Sequence, residues 1–273
     1  FQYQQLFRPN DCVHIRVWTR VKIVVCIPAR YDSTRFPGKV LAKDTGKYLI
    51  QHTYEQACKA TRPERVLIAA DDERIVDAAK TFGAECVLTS ASHQSGTDRI
   101  AEAVANVPAE IVINVQGDEP DIDPGHIDTL AELLLAHQEV PMATLATPLH
   151  RAEQVADPNI VKAIVDPQGK AIYFSRCPIP YDRDHAGIGP ADQYLRHIGI
   201  YAYRKDFLLT LTRLPQTPLE KLEKLEQLRV IENGQTILVG IVTDMSEGID
   251  TPEQYATFVA HYRNEVGTDR ATA

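Results

Sequence analysis

Residues 65–89, RVLIAADDERIVDAAKTFGAECVLT, decide the fold. Arg65–Ala70 is a short apolar run of the kind buried in a parallel sheet. Asp71 or Asp72 then offers an N-cap, Glu73–Phe82 has helical spacing, and Gly83 supplies the stop. Glu85–Thr89 is a second apolar run. Strand, helix and strand in 25 residues make one βαβ unit, which implies a parallel sheet and a right-handed crossover.

The same rhythm extends in both directions. Upstream, Lys22–Ile27 (KIVVCI) reads as a strand closed by Pro28, followed by a polar loop and a helix over Tyr48–Ala60. Downstream, Thr97–Ala105 reads as a helix and Glu110–Val115 (EIVINV) as a fourth strand. Beyond residue 140 the pattern becomes mixed: strands over Met142–Leu149, Val161–Val165 and Arg196–Tyr203 are separated by Pro-rich stretches. Leucines 219, 222, 225 and 228 predict a helix over Leu219–Ile231, and Ile237–Val242 and Thr251–Tyr262 predict a last strand and helix. The expected architecture is α/β, a Rossmann-like, mostly parallel sheet with a mixed lobe around 140–205.

Length and composition bound the alternatives. At 273 residues, 44% apolar and 24% charged, the chain is long enough for one large domain or two small ones and has the composition of a soluble globular protein. No apolar run approaches the ~18 residues that span a bilayer, so no membrane partner is expected. Five cysteines form no CxxC pair and read as reduced, buried thiols of a cytoplasmic protein. Residues 1–20 have no signal-peptide pattern and are expected to precede the natural domain as upstream or vector-derived sequence, with folding beginning near Val21. The net charge of −8 is uneven: residues 1–62 carry eleven Lys/Arg against four Asp/Glu, and the remainder eighteen against thirty-three. A nucleic-acid binder would spread basic and aromatic residues over an exposed face. Here the cations Arg30, Arg35 and Lys39 stand in a turn directly after a buried strand, so no nucleic-acid partner is expected.

Ligands of open α/β sheets sit at the carboxyl ends of the strands. The first such loop, PARYDSTRFPGK (28–39), offers three cations, two hydroxyls and Gly38, the donors that a triphosphate needs. It has neither Walker nor GxGxxG spacing. The loop after strand four, QGDEPD (116–121), places Asp118 where a divalent cation and phosphate oxygens could share it, although such a turn can equally be a helix cap. Asp250 is a second carboxylate of this kind, with the N-cap of the last helix as its alternative. In HQSGTDR (93–99), Ser95, Gly96 and Thr97 can face a nucleotide or simply begin a helix. In the mixed lobe, Arg176, Arg183, Arg196 and His197 are cations near Tyr201 that suit a carboxylate substrate. Scattered surface charge is the alternative for the arginines, and a satisfied core histidine for His197. Glu226 and Gln227 are polar on a core-packing helix or else face solvent. No catalytic triad and no zinc cluster is present.

The segments IPARYDSTRFPGK (27–39), DDERI (71–75), HQSGTDR (93–99), NVQGDEP (114–120), MATLA (142–146), YFSR (173–176), PIPYDRD (178–184), RHIGIYAYR (196–204), LEKLEQLRV (222–230) and GIDTP (248–252) together resemble the CMP-KDO synthetases, the 3-deoxy-manno-octulosonate cytidylyltransferases. The resemblance runs in order over about residues 21–265. It implies a single cytidylyltransferase domain over 21–273, with the nucleotide-diphospho-sugar transferase fold and a lobe for sugar binding and dimerisation. It also implies CMP transfer from CTP to KDO with release of pyrophosphate, Mg²⁺ (magnesium) as cofactor, and a cytoplasmic homodimer. By the same resemblance Arg30, Ser33 and Lys39 belong to the triphosphate loop, with Ser95, Gly96 and Thr97 in nucleotide binding. Lys39, Asp118 and Asp250 are catalytic, the two aspartates as metal ligands. Gln116, Arg176, Arg183, His197, Tyr201, Glu226 and Gln227 form the sugar-acid pocket. Tyr48 stands where the family usually has Pro, Asp184–Tyr194 is shorter than in several members, and residues 1–20 have no counterpart. Related acceptors, an amino-KDO or a sialic acid, are the rivals to KDO, and a non-catalytic nucleotide-binding module is the rival outside enzymes.

Overall fold

The computed structural model describes residues 21–33 and 35–271, with side chains through Asn264. The expected extension over 1–20 lies outside the described residues. The chain divides into two compact units, one built from Ile23–Asp128 and Ser246–Ala273, the other holding Thr129–Met245.

The first unit is the βαβ unit repeated. Strands β1 (Ile23–Ala29), β2 (Arg65–Ala70), β3 (Glu85–Leu88) and β4 (Ile111–Asn114) lie in the order β3-β2-β1-β4, all parallel. Their apolar runs are continuous because both faces are covered, and from Ile23 to Ile27 and Ile111 to Ile113 hardly any surface is exposed. The intervening helices are α1 (Leu49–Ala57), α2 (Glu73–Thr81) and α3 (Gly96–Val104). Asp72 caps α2 by accepting from the Arg74 N–H, and Gly83 follows its end at φ 72°, the left-handed conformation that favours glycine. Tyr48, at the expected proline position, starts α1 with φ −65°, the value that a proline ring would fix. The C-terminal helix α9 (Pro252–Ala271) is longer than its periodicity predicts; Tyr255, Phe258 and Val259 on it pack with Leu49 and Ile249.

The second unit is mixed. β5 (Met142–Pro148) pairs with β8 (Leu195–Arg204) antiparallel and with β9 (Ile237–Ile241) parallel. β6 (Lys162–Val165) pairs antiparallel with both β8 and β7 (Ala171–Ser175), an edge strand that the alternation in the sequence did not reveal. Three helices were also missed: α4 (Pro124–Ala136), which carries the chain out of the first unit, and the short α5 (Ala152–Ala156) and α6 (Lys205–Leu211).

The leucine stripe does not make one helix. It is broken into α7 (Pro218–Glu223) and α8 (Gln227–Glu232), with Lys224 at φ 55° between them. Tertiary bonds at the end of α7 account for the break: the Glu223 carboxylate accepts from Ser175 Oγ at 2.6 Å and from the Arg176 N–H at 3.0 Å, while its carbonyl accepts from Arg176 Nε at 2.7 Å. Leu225 and Leu228 are therefore buried while Leu222 is exposed. Cys12 lies outside the described residues, and the other cysteines depart in part from the expected burial. Cys26 is buried, Cys86 half-buried, and Cys58 and Cys177 are exposed free thiols.

Candidate nucleotide site in the parallel unit

The loop after β1 is shaped by two backbone features. Gly38 takes φ 69°, and its N–H donates to the Tyr31 carbonyl at 3.0 Å, which brings these two residues of the loop together. A 3-10 turn over Lys39–Leu41 follows and directs the Lys39 side chain inward. Its ammonium donates to Asp118 Oδ2 at 2.6 Å, to the Ile249 carbonyl at 2.8 Å and to Asp250 Oδ1 at 3.1 Å. Arg35 pairs with the other Asp250 oxygen at 2.9 Å. Three segments far apart in sequence thus meet at one cation.

Backbone geometry brings Asp118 there. Gly117 packs so tightly beneath the loop that an added Cβ would lie 2.8 Å from the Pro28 carbonyl oxygen and 3.0 Å from Ile50 Cδ1. Only glycine fits that approach. Asp118 in turn accepts the Ile249 N–H at its own carbonyl, which holds Asp250 alongside. The N-cap alternative for Asp250 fails: its carboxylate faces Lys39 and Arg35, and Thr251 Oγ1 accepts the Gln254 N–H instead.

These groups line a cleft of about 340 Å³ with Arg30, Ser33, Ser95, Gly96 and Gln116. The Gln116 amide donates to Asn114 Oδ1 at 3.1 Å. Ser95 is also the N-cap of α3, accepting the Asp98 N–H at 3.1 Å, so capping and cleft-lining coexist in one residue. Thr97 is buried. His93, paired with Glu102, also borders the cleft. Two groups here were not singled out in the sequence. Glu119 is a carboxyl whose Oε2 is buried without a hydrogen-bond partner among the described residues; burial, and then the neighbouring Asp118 charge, push its pKa up to about 8. Arg99 lies against the cleft floor. Adjacency in GDEP and the cation in GTDR were the only signals for them.

The remaining expected residues belong to the second unit. Arg176 is half-buried, and besides Glu223 it donates from Nη1 to the Pro158 carbonyl at 3.0 Å. Arg183 is exposed in the 177–189 loop, and Arg196 is half-buried on β8. His197 is buried, with Nε2 3.0 Å from Thr144 Oγ1 and its ring edge-on to Phe174 and near Tyr201. Burial lowers its pKa to about 3, so it is a neutral core histidine. Gln227 is buried with its amide Nε2 unpartnered among the described residues, and Glu226 precedes it at the start of α8.

Cations and hydroxyls at the carboxyl ends of parallel strands, facing two carboxylates, have the chemistry suited to a nucleotide and to phosphoryl transfer. Comparison with known proteins narrows the class. Residues 24–237 match the family model described as Cytidylyltransferase. The 3-deoxy-manno-octulosonate cytidylyltransferase of Syntrophotalea carbinolica is 49% identical over 248 residues, covering 89% of this chain and 99% of its own. That of Solibacter usitatus is 50% identical over 232 residues, covering 85% and 91%. A solved structure of CMP:2-keto-3-deoxy-manno-octonic acid synthetase complexed with CTP superposes with a TM-score of 0.84 at 41% identity, covering 89% of this chain and 99% of that one. The chain belongs to the 3-deoxy-manno-octulosonate cytidylyltransferases, and it is a nucleotidyltransferase.

Proposed function

We propose that this chain transfers CMP from CTP to the anomeric hydroxyl of 3-deoxy-manno-octulosonate, KDO, releasing pyrophosphate and forming CMP-KDO, the activated sugar for lipopolysaccharide biosynthesis. The convergence of Lys39, Asp118 and Asp250 in a member of this family carries the reading, since a non-catalytic nucleotide-binding module would not need all three. In the reaction the acceptor oxygen forms a bond to the α-phosphorus as the bond from that phosphorus to the bridging oxygen of pyrophosphate breaks. Arg30, Ser33 and Lys39 bind the triphosphate, with Ser95, Gly96 and Thr97 beside the nucleotide. Lys39 is the natural partner for charge on the leaving pyrophosphate, because its ammonium is anchored on three sides before CTP arrives.

A divalent cation, Mg²⁺, fits the same place. Asp118 and Asp250 converge on a single ammonium, so both oxygens already face a shared positive charge, and one or two carboxylates with phosphate oxygens form a hard donor set. When bound, Mg²⁺ would neutralise phosphate charge and acidify the attacking hydroxyl. Asp118 and Asp250 would hold it.

For the sugar acid, the residues are Gln116, Arg176, Arg183, Tyr201, Glu226 and Gln227; His197, buried and neutral, would serve only by packing against Tyr201. The buried, unpartnered amide of Gln227 supports this assignment, because a desolvated donor costs about 1–3 kcal/mol unless a ligand oxygen satisfies it. The working form is a homodimer, supported by the exposed Ile172, Tyr181 and Leu222 of the second unit. Its place is the cytoplasm, the compartment that supplies CTP. No helix among the described residues is long and apolar enough to cross a membrane. Pyrophosphate release measured with CTP against KDO, 8-amino-KDO and sialic acid, with and without Mg²⁺, tests the reading. Release with KDO that depends on the metal is expected, and no release with KDO would overturn it.

A further inference from the structure

A buried ion pair lies behind the nucleotide loop without lining the cleft on its acidic side. Asp71, the first residue after β2, sends Oδ1 to the Tyr31 N–H at 2.8 Å and Oδ2 to Arg99 Nη2 at 3.3 Å. Only 13% of the Asp71 side chain and 5% of the Arg99 side chain are exposed. Arg99 also donates from Nη1 to Thr89 Oγ1 at 2.9 Å, and Thr89 Oγ1 donates to the Ala70 carbonyl at 2.8 Å. One carboxylate thus ties together the loops after β1, β2 and β3. The link continues into the site. Tyr31, held by its N–H, accepts the Gly38 N–H at its carbonyl, and Gly38 precedes Lys39. The Arg74 guanidinium covers the Tyr31 ring at 3.3 Å from its centroid, so that residue is fixed from a second side.

We infer that Asp71 is the positioning residue of the nucleotide loop: by anchoring Tyr31 from behind it sets where Gly38 and Lys39 stand before the triphosphate binds. The inference rests on the proposed reading of residues 30–39 as the triphosphate loop. Asp71 does not line the cleft. Its contribution is preorganisation, which removes an ordering cost from CTP binding.

Two substitutions separate the anchor from the ion pair. Asp71→Asn retains an oxygen for the Tyr31 N–H and loses the charge that Arg99 needs. Asp71→Glu keeps the charge and displaces the acceptor. CTP affinity by calorimetry, steady-state constants and melting temperature are measured on the full chain. The expected result is that Asp71→Glu weakens CTP by about ten-fold with KM for KDO within two-fold, while Asp71→Asn melts earlier yet binds CTP nearly as the parent does. A purely structural pair would make CTP affinity follow the melting temperature, and that outcome overturns the inference. So does unchanged CTP affinity in Asp71→Glu. Lys39→Met runs alongside: if it too binds CTP and turns over like the parent, the loop reading has failed, whereas loss with Lys39→Met alone removes only the role of Asp71. Asp71→Ala, lacking both groups, is expected to show both defects.

Discussion

The two units use their cations differently. In the parallel unit they meet carboxylates: Lys39 holds Asp118 and Asp250, Arg35 holds Asp250, Arg99 holds Asp71, and Arg65 holds Glu85. In the mixed unit two of them grip main-chain carbonyls instead. Lys162 is fully buried and donates to Asp157 O at 2.9 Å, Ile160 O at 2.6 Å and Arg176 O at 2.6 Å, and Arg204 donates to Leu134 O and His137 O. A carboxylate held by a cation can exchange that partner for a metal ion or surrender it to a phosphate. A carbonyl clamp has nothing to exchange and fixes a loop. The first arrangement is suited to a reaction centre and the second to a scaffold around a pocket, although the mixed unit also has cation–carboxylate pairs, the buried Arg229–Glu220 among them.

The largest effect is expected on the exchangeable side. Asp118→Ala should lower Mg²⁺-dependent pyrophosphate release on the order of 10³-fold while the melting temperature stays close to that of the parent. Asp118 is 28% exposed and Lys39 keeps two other partners, so little folding energy depends on this carboxylate. Near-full activity with Mg²⁺ would remove its metal role. Lys162→Met should behave in the opposite sense, since it strips a donor from three carbonyls and costs about 3 kcal/mol in denaturant unfolding. Stability equal to the parent would show that these carbonyls find other partners and would erase the contrast between the units. The pair Lys39→Met and Lys162→Met sharpens it: the first is expected to lose activity at temperatures where the chain is fully folded, and the second to lose stability before activity.

What could be read from the sequence follows the same division. β1 to β4, the βαβ order, Gly83 and the three cations of residues 28–39 were legible because local signals and tertiary structure agree there. Asp118 and Asp250 were legible as strand-end carboxylates, but their meeting at one lysine depends on the close approach of Gly117 to Pro28, which no local pattern encodes. In the mixed unit the signals conflict. The leucine stripe predicts one helix, yet the bonds from Glu223 to Ser175 and Arg176 end α7 early. β7 was hidden because it is a five-residue edge strand without polar alternation: Ile172 is exposed and only Phe174 and Ser175 are buried. His197 could be read as ligand or core, and only its burial against Phe174 and Thr144 separates the two.

The smallest expected effect concerns the neutral histidines, one in each unit. Burial lowers His52 to about 4 and His197 to about 3, from an ordinary value of 6.5. A histidine with a depressed folded-state pKa takes up protons more readily when unfolded, so stability is lost as pH falls below 6.5 and continues to fall until the folded-state value is reached. For His197 this amounts to about 2 kcal/mol between pH 7 and pH 5. His52 contributes in the same direction, and because both folded-state values lie below 5 the two rings weigh about equally between pH 7 and pH 5. His197→Gln and His52→Gln should therefore flatten the dependence of unfolding free energy on pH between 7 and 5 by similar amounts, whatever either substitution costs at pH 7. Unequal flattening would mean that water reaches one of the two rings in solution. A parent whose stability is flat over this range would mean that both rings reach water in solution.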